Sequence, residues 1–483
     1  MRSLVWATAL VVTSSVAVGQ PSPEIQSSPE LYGKQVYAIT LSQMAAPKPL
    51  SNYYLTPQYK EQQPGDQLSG FMKSTMEQHA FFSAERAKLR EKFNEMSLDD
   101  LPKDSRTQAG VMGGIAYGEK SRGMMTNIDL AARYNRTEWN EYFQSRQDGF
   151  YWLLPEVQQM WNLADVLKVR LRGEVKNGEF DRAIVTVRSL TGLARMFESH
   201  PTHIGNLVGV AIQTAAWNGV EEMVAQPGCP NLFWSLVDLP TPPFNISHGC
   251  EGERALTTTQ LDYLLTLDRP LTDPETFKAF DFIDESLSFD GAPSGLRRML
   301  RSSRLRYSLL AANPTGVEAA RGRLVAVGKL NATAVKAFPP LQVVLTDDLL
   351  SLVVWRDEVM KYRNLPLDEC LAGMQDVTRR VKSQSGDLLL APLMLPGSEG
   401  IKRAEARTAQ RVALLRVLEA LRLHAAASNG ELPATLADTK LPLPLDPVTG
   451  KAFDYGVKDR VATLNGGVAG TGPRRVYEVR LRK

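Results

Sequence analysis

The chain has 483 residues, of which 43% are hydrophobic and 23% are charged, and its formal net charge is +3. Its length exceeds the size at which one hydrophobic core usually stops growing, so two or three structural units are expected. A charge this close to neutral gives no overall field that would attract nucleic acid or an anionic membrane, so neither is expected as a partner.

The N-terminus predicts a secretory signal peptide over residues 1–19. Arg2 supplies the positive charge, residues 4–12 form a short apolar stretch, and Ala17-Val-Gly19 offers a small-x-small cleavage site. Cleavage after Ala17 fits nearly as well, and an uncleaved membrane anchor is the alternative. No later stretch is long and apolar enough to predict a transmembrane helix. We therefore expect export to the periplasm or cell envelope, or secretion.

Residues 20–45 are predicted to form a flexible linker, because they begin with proline- and serine-rich stretches. An α-helical domain is expected over residues 46–397, followed by a long helix and a small β-sheet over residues 398–483. Residues 386–399 contain prolines and predict a loop over the surface of the core.

The central region predicts three consecutive helices. Apolar residues recur every four positions from Leu163 to Val175 and share one helical face, and Asn177-Gly178 then ends this helix as a C-terminal cap does. Two further apolar stripes follow over residues 180–197 and 204–224 after short turns. Short turns make successive helices antiparallel neighbours, so a core of antiparallel helical hairpins is expected.

A proline-rich loop after the third helix carries candidate functional residues. Cys229 and Cys250 bracket this loop and, in an oxidising compartment, either form a disulfide or remain two thiols. Phe233 and Trp234 lie in the same loop and are the candidate contact surface. The third cysteine, Cys370, is expected to be a small buried apolar residue.

The C-terminal segment has a different pattern. Residues 401–427 predict a strong helix that Asn429-Gly430 ends. Tyr477, Val479 and Leu481 alternate with charged residues, which is the period of a half-buried strand. A small antiparallel sheet packed against the long helix is therefore expected.

The sequence contains few residues that indicate catalysis. Of five histidines, His200 and His203 have the spacing closest to a metal-ligand pair, but Pro201 breaks the helix that would align them, so we interpret this segment as a turn. Glu221 and Glu222 are adjacent on a helix, point apart and make poor acid/base partners. No nucleophile elbow, phosphate loop or zinc-protease motif is found, so no cofactor or metal is expected and no catalytic residue is assigned.

Five arginines within residues 297–306 form the one marked concentration of charge. Arg297, Arg301 and Arg304 share a helical face, which favours either the binding of phosphate or an acidic polymer, or a solvated face paired with acidic residues elsewhere.

Several landmarks occur together along the chain. They are Tyr54-Leu-Thr-Pro57 with Gln63-Pro-Gly65, Asp148-Gly-Phe-Tyr-Trp-Leu-Leu-Pro155, Asn177-Gly-Glu-Phe-Asp-Arg-Ala183, Pro230-Asn-Leu-Phe-Trp-Ser-Leu-Val-Asp-Leu-Pro240, Phe338-Pro-Pro-Leu-Gln-Val-Val-Leu345 and Leu445-Asp-Pro-Val-Thr-Gly-Lys451. Together they resemble a family of exported planctomycete-type bacterial proteins. The resemblance implies no activity, because the family has none assigned.

Two segments show local resemblances. Residues 177–183 are similar to the inter-helix loop of a tetratricopeptide repeat, although no second copy follows at the same period. The C-terminal segment resembles the end of type II secretion pseudopilins, in which a helix precedes a turn and aromatic strands. Some 400 residues precede the comparable helix here, so filament assembly is not expected from the resemblance.

The sequence therefore predicts a mainly α protein with a core of tetratricopeptide-like helical hairpins, a long C-terminal helix and a small antiparallel sheet. Its leading functional interpretation is a non-enzymatic binding or scaffold protein whose partner is an envelope protein or polymer. Contact would occur in a groove between helices or around Phe233 and Trp234. The alternative is an exported hydrolase acting on envelope polymers through a carboxylate site assembled from distant helices.

Overall fold

A computed structural model describes residues 34–76, 84–102, 122–139, 155–256, 261–287, 303–383, 388–468 and 474–482. The predicted signal peptide lies outside these residues. Within them the chain forms sixteen α-helices and six strands, which confirms a mainly α fold with a small sheet at the C-terminus. None of these helices combines the length and the apolar character needed to cross a membrane.

Six of the α-helices lie before the proline-rich loop, and the other ten lie within or after it in the described chain. The first six are α1 (Gln67–Met76), α2 (Ala84–Glu95), α3 (Arg122–Ala131), α4 (Pro155–Asn177), α5 (Phe180–Met196) and α6 (His203–Val224). The remainder are α7 (Phe233–Val237), α8 (Ser247–Leu256), α9 (Asp273–Leu287), α10 (Ser303–Ala311), α11 (Pro314–Ala326), α12 (Ala332–Ala337), α13 (Pro340–Met360), α14 (Leu367–Ser383), α15 (Leu390–Met394) and α16 (Pro396–Ala427).

The predicted central hairpins are confirmed in α4, α5 and α6. Gly178 follows α4 with a φ of +75°, a conformation that favours glycine, and allows α5 to begin two residues later. The hydroxyl of Thr202 accepts a hydrogen bond from the amide of Gly205 and caps α6. The three helices pack on one another, and α6 also packs on α16.

The strands form two sheets. Four strands lie in the order β1 (Lys34–Leu41), β6 (Arg474–Leu481), β5 (Val461–Asn465) and β4 (Asp454–Lys458). The other sheet pairs β2 (Gln63–Asp66) with β3 (Tyr134–Arg136) in parallel. In the larger sheet, β6 is antiparallel to β5 but parallel to β1, with Tyr37 opposite Tyr477.

The predicted antiparallel sheet is therefore wrong in one respect, since the sheet is mixed. The predicted linker over residues 20–45 is also wrong for β1, which is an ordered strand at the edge of that sheet. Tyr37, Ile39 and Leu41 are all buried, so β1 has the two-residue period of a strand with one face in the core. The flanking prolines obscure this period in the sequence.

The buried hydrophobic residues of the described chain fall into two clusters. One is formed by α1–α6, the larger sheet and much of α16; the other is formed mainly by α9–α15. Residues 388–399 do not form the predicted surface loop, because Leu389 and Leu390 are buried at the start of α15 and α16 begins at Pro396. Proline is compatible with this first helical position, which needs no amide donor.

Asp348 on α13 holds the start of α15. Its carboxylate accepts hydrogen bonds from the amides of Leu389 and Leu390 and, at 2.6 Å, from the hydroxyl of Tyr307. Burial raises the pKa of Asp348 to about 6, although these three donors oppose the shift.

We expect Asp348→Asn to flatten the pH dependence of stability. A carboxyl group with a raised pKa in the folded protein stabilises it fully below the unfolded pKa, and this contribution is lost as the pH rises through about 6. The wild-type free energy of unfolding should therefore fall by about 2 kcal/mol from this group between pH 4 and pH 7. Urea denaturation across this range measures the slope. Exposed Asp459→Asn is the control, and equal slopes for the wild type and Asp348→Asn would contradict the assignment.

Glu221 on α6 joins the helices to the larger sheet. Its Oε2 accepts hydrogen bonds from Arg411 of α16 at 2.6 Å, and from Arg475 and Tyr477 of β6 at 3.0 Å each. The Arg475 guanidinium also lies 4.1 Å from the ring centroid of Tyr37 in β1. Burial would raise the pKa of Glu221, but Arg475 and Arg411 outweigh it and lower the pKa.

We expect Glu221→Gln to destabilise the protein by about 3–5 kcal/mol, because it leaves the buried guanidinium of Arg411 and the largely buried one of Arg475 without their shared carboxylate. Chemical denaturation at neutral pH measures the effect. Glu431→Gln, at an exposed site beyond α16, should leave stability unchanged. A Glu221→Gln protein as stable as the wild type would contradict the structural role of this carboxylate.

Candidate ligand-binding cleft

A cleft of about 600 Å³ lies where α16 meets three proline-bearing segments. These segments are residues 239–247 after α7, residues 363–367 before α14, and residues 444–447 before the larger sheet. The walls are mostly apolar and are formed by Leu236, Leu239, Pro240, Pro242, Pro243, Leu365, Pro366, Leu367, Ala409, Val412, Ala413, Pro444, Leu445 and Pro447. Proline has no amide hydrogen, so these walls present few backbone donors that need a partner.

One face of α16 forms the floor of the cleft. Lys402, Glu405, Ala409, Val412 and Arg416 line it at spacings of three and four residues, which places them on the same side of the helix. The face is charged near its start, apolar in the middle and charged again at Arg416. A ligand lying along it would meet both apolar surface and charge.

Lys402 and Glu405 form a buried ion pair, with side chains only 7% and 1% exposed. The Glu405 Oε1 also accepts a hydrogen bond from the amide of Ile246 at 3.3 Å, which ties the proline-rich segment to α16. Burial raises the pKa of Glu405, and Lys402 opposes the shift. The pair therefore depends on mutual neutralisation within a poorly solvated wall.

Two arginines add positive charge to the lining. Arg363 pairs with Glu251, and Arg416 donates a hydrogen bond from Nη2 to the carbonyl of Pro442 at 3.1 Å. The Nε of Arg416 is buried without a hydrogen-bond partner among the described residues. Burial lowers the pKa of Arg416. Because a buried donor without a partner is costly, Arg416 has unused capacity to bind an anionic group.

The cysteines lie in the core rather than in the cleft lining. The structure holds Cys229, Cys250 and Cys370 as buried thiols, and no bond joins Cys229 to Cys250. Burial raises the pKa of Cys250 to about 12 and that of Cys370 to about 11, and Lys402 opposes both shifts. Burial also raises the pKa of Cys229. Thiols with such high pKa values are not activated nucleophiles at neutral pH.

The two predicted contact residues separate in the structure. Phe233 is fully buried in α7, so it does not contribute to a surface, whereas Trp234 is 37% exposed. Their rings meet edge to face at 5.0 Å, so the buried ring supports the exposed one. The cleft begins beyond them, at Leu236 and Leu239.

The predicted arginine face is described only at Arg304, because Arg297 and Arg301 lie outside the described residues. Arg304 forms an ion pair with Asp281, and its guanidinium lies 5.6 Å from the ring centroid of Phe277. Arg304 is therefore paired with an acidic side chain, as the solvated-face alternative expects.

His200 and His203 flank the turn between α5 and α6. The Nδ1 of His200 accepts a hydrogen bond from the amide of Thr202 at 3.1 Å, while the amide of His203 donates to Glu253 at 2.9 Å. Burial lowers the pKa of His203. In the part of the chain that the structure describes, no three or more His, Cys, Asp or Glu side chains are grouped so as to hold a metal ion.

Comparison with family models, with curated proteins and with solved structures finds no match to this chain.

Sequence reasoning identified the elements around the cleft but not the cleft. The signal was the recurrence of proline in three separate segments, at residues 240–243, 366 and 444–447. Each segment predicts only a loop on its own, and nothing in the sequence shows that α16 brings the three together.

We expect Lys402→Met to destabilise the protein by about 3–5 kcal/mol at pH 8, because it leaves the ionised Glu405 buried without its cation. The loss should shrink at pH 5, since a carboxyl group with a raised pKa costs stability only as the pH rises through that pKa. The double variant Lys402→Met/Glu405→Leu should recover most of the loss, because it removes both charges. Urea denaturation at the two pH values measures this. Equal stability of the single and double variants would contradict the buried pair.

Proposed function

We propose that the protein is an exported, non-enzymatic binding protein of the cell envelope whose cleft holds a ligand with an apolar body and an anionic group. One observation carries the proposal: an apolar cleft of about 600 Å³ has an excess of positive charge in its lining. Cavities of roughly 300–1,000 Å³ with apolar walls and few polar groups are typical of sites for small organic ligands. The expected signal peptide and the resemblance to exported proteins support the location.

The charges in the cleft favour an anion. Arg363, Lys402 and Arg416 line it, whereas Glu405 is the one carboxylate among the described lining residues. Glu251 partly neutralises Arg363, and Glu405 neutralises Lys402. Arg416 has no such carboxylate partner in the described chain, so its guanidinium is the group best placed to bind the ligand's negative charge.

The hydrolase alternative receives less support from the cleft. Glycoside hydrolysis usually requires two carboxyl groups on opposite sides of the bond that breaks. Glu405 is already paired with Lys402, and the described lining holds no second carboxylate. The cleft therefore favours binding of a ligand over its hydrolysis.

Calorimetric titration with decanoate and with decanol tests the proposal. Decanoate should bind, and decanol should bind about tenfold more weakly because it cannot form the charged contact. Arg416→Met should reduce decanoate binding to the level of decanol. Arg379→Met, at a side chain that is 77% exposed on α14, is the matched control and should leave binding unchanged.

A second variant tests the location of the site without disturbing the core. Leu445 lines the cleft and is 59% exposed, so Leu445→Asp should fold normally while placing a negative charge at the cleft. Its affinity for decanoate should fall and its affinity for decanol should change less. Equal binding of the two ligands by the wild type, absence of binding, or unchanged binding by Arg416→Met would overturn the proposal.

A further inference from the structure

A second pocket, of about 290 Å³, differs chemically from the cleft. It is formed where the two-stranded sheet of β2 and β3 meets the C-terminal end of α5. Three arginines line it: Arg133, Arg136 and Arg195. Its other lining groups include the polar side chains of Gln62, Gln67, Asn135, Thr137 and Ser199.

Close backbone packing places two of these arginines together. Gly192 of α5 lies so close to Ala132 that an added Cβ would be 2.8 Å from both the Cβ and the carbonyl oxygen of Ala132. Arg133 follows Ala132 directly, and Arg195 lies almost one helical turn beyond Gly192 on α5. The glycine therefore allows the end of α3 to approach α5 and brings Arg133 and Arg195 to the same pocket.

The positive charge of this pocket is only partly neutralised. Arg136 has Glu138 at 3.7 Å, but both side chains are about two-thirds exposed. Arg195 approaches Glu198 at 4.0 Å, the outer limit of an ion pair. Arg133 makes no ion pair among the described residues and lies near Arg188, whose pKa is lowered by burial and, to a lesser extent, by Arg133. Like charges at short range repel one another unless an anion lies between them.

We propose that this pocket binds a tetrahedral oxyanion, a phosphate or sulfate group carried on a small hydroxylated molecule. Guanidinium groups bind such oxyanions through paired hydrogen bonds, and three arginines provide enough charge for a dianion. The amide side chains of Gln62 and Asn135 offer both donors and acceptors, which suits the hydroxyl groups of the carrier. Because its walls are polar, this site selects a different ligand from the one proposed for the cleft.

Hydrogen bonds around the pocket hold its shape before a ligand binds. Thr137 donates a hydrogen bond to Gln67 at 2.9 Å across the two-stranded sheet. Trp139 donates from its indole nitrogen to the hydroxyl of Ser199 at 3.1 Å, which fixes that hydroxyl at the pocket edge. Groups held in place in this way lose less entropy when a ligand binds.

Titration calorimetry with glycerol 3-phosphate, inorganic phosphate and sulfate tests this proposal, in buffers of equal ionic strength made up with chloride. Glycerol 3-phosphate should bind most tightly if a phosphate ester is the ligand, and inorganic sulfate should bind at least as tightly as inorganic phosphate if the natural group is a sulfate ester. Arg133→Gln and Arg195→Gln should each weaken binding about tenfold or more. Arg182→Gln, on α5 but outside the pocket, should leave the affinity unchanged.

Two controls separate this site from the cleft. Decanoate binding by Arg133→Gln should equal that of the wild type, so failure of one site leaves the other testable. Circular dichroism should show unchanged helix content in each arginine variant. Oxyanion binding that persists undiminished in the Arg133→Gln/Arg195→Gln double variant would overturn the proposal. So would an absence of binding by all three oxyanions to the wild type.

Discussion

The carboxylate of Glu221 is the contact on which the arrangement of the molecule depends. Glu221 lies on helix α6. Its carboxylate accepts hydrogen bonds from Arg411 of helix α16 and from Arg475 and Tyr477 of strand β6. Strand β1 joins through Tyr37, which lies against Arg475. A buried ion pair contributes little net stability compared with apolar packing, but it penalises any arrangement that leaves one charge unpaired. The cluster therefore specifies how the sheet docks on the helices.

Helix α16 connects the Glu221 cluster with other segments of the chain. Arg411 faces Glu221, whereas Lys402, Glu405 and Arg416 lie on the face that lines the cleft. Further along, Arg422 is fully buried, pairs with Glu419 and donates to the backbone carbonyls of Ser42 and Cys229. One long helix thus contacts the segment at Ser42, the proline-rich loop and, through Glu221, the larger sheet, and it also forms the floor of the cleft.

The sequence was sufficient for elements whose pattern is local. The apolar stripes of α4–α6, the glycine after α4 and the alternation in β6 each follow from a period or a cap that a short window contains. The sequence was not sufficient for elements whose structure depends on contacts with distant segments. β1 becomes a strand because β6 offers it an edge, and residues 390–394 become a helix because Asp348 accepts its first amides. Glu221 and Glu222 do point apart as predicted, but each meets a buried arginine from elsewhere in the fold. The cleft and the arginine pocket are likewise products of such long-range contacts.

The near-neutral net charge of the chain does not show that positive charge is concentrated at the cleft and at the arginine pocket. An overall charge of +3 argues against a field that attracts polyanions. It is nevertheless compatible with three arginines converging in one pocket, and with a guanidinium in the cleft that has no carboxylate partner among the described residues.

The two sites also share a physical connection. Glu198, which lines the arginine pocket, accepts a hydrogen bond from the amide of Asn245, and Glu405 in the cleft accepts one from the next amide, that of Ile246. Burial raises the pKa of both carboxyls, and the charge of Glu405 contributes to the raised pKa of Glu198. The proline-rich segment is therefore held at consecutive peptide bonds by one carboxyl group from each site, and both carboxyl groups fix the position of this short stretch of backbone.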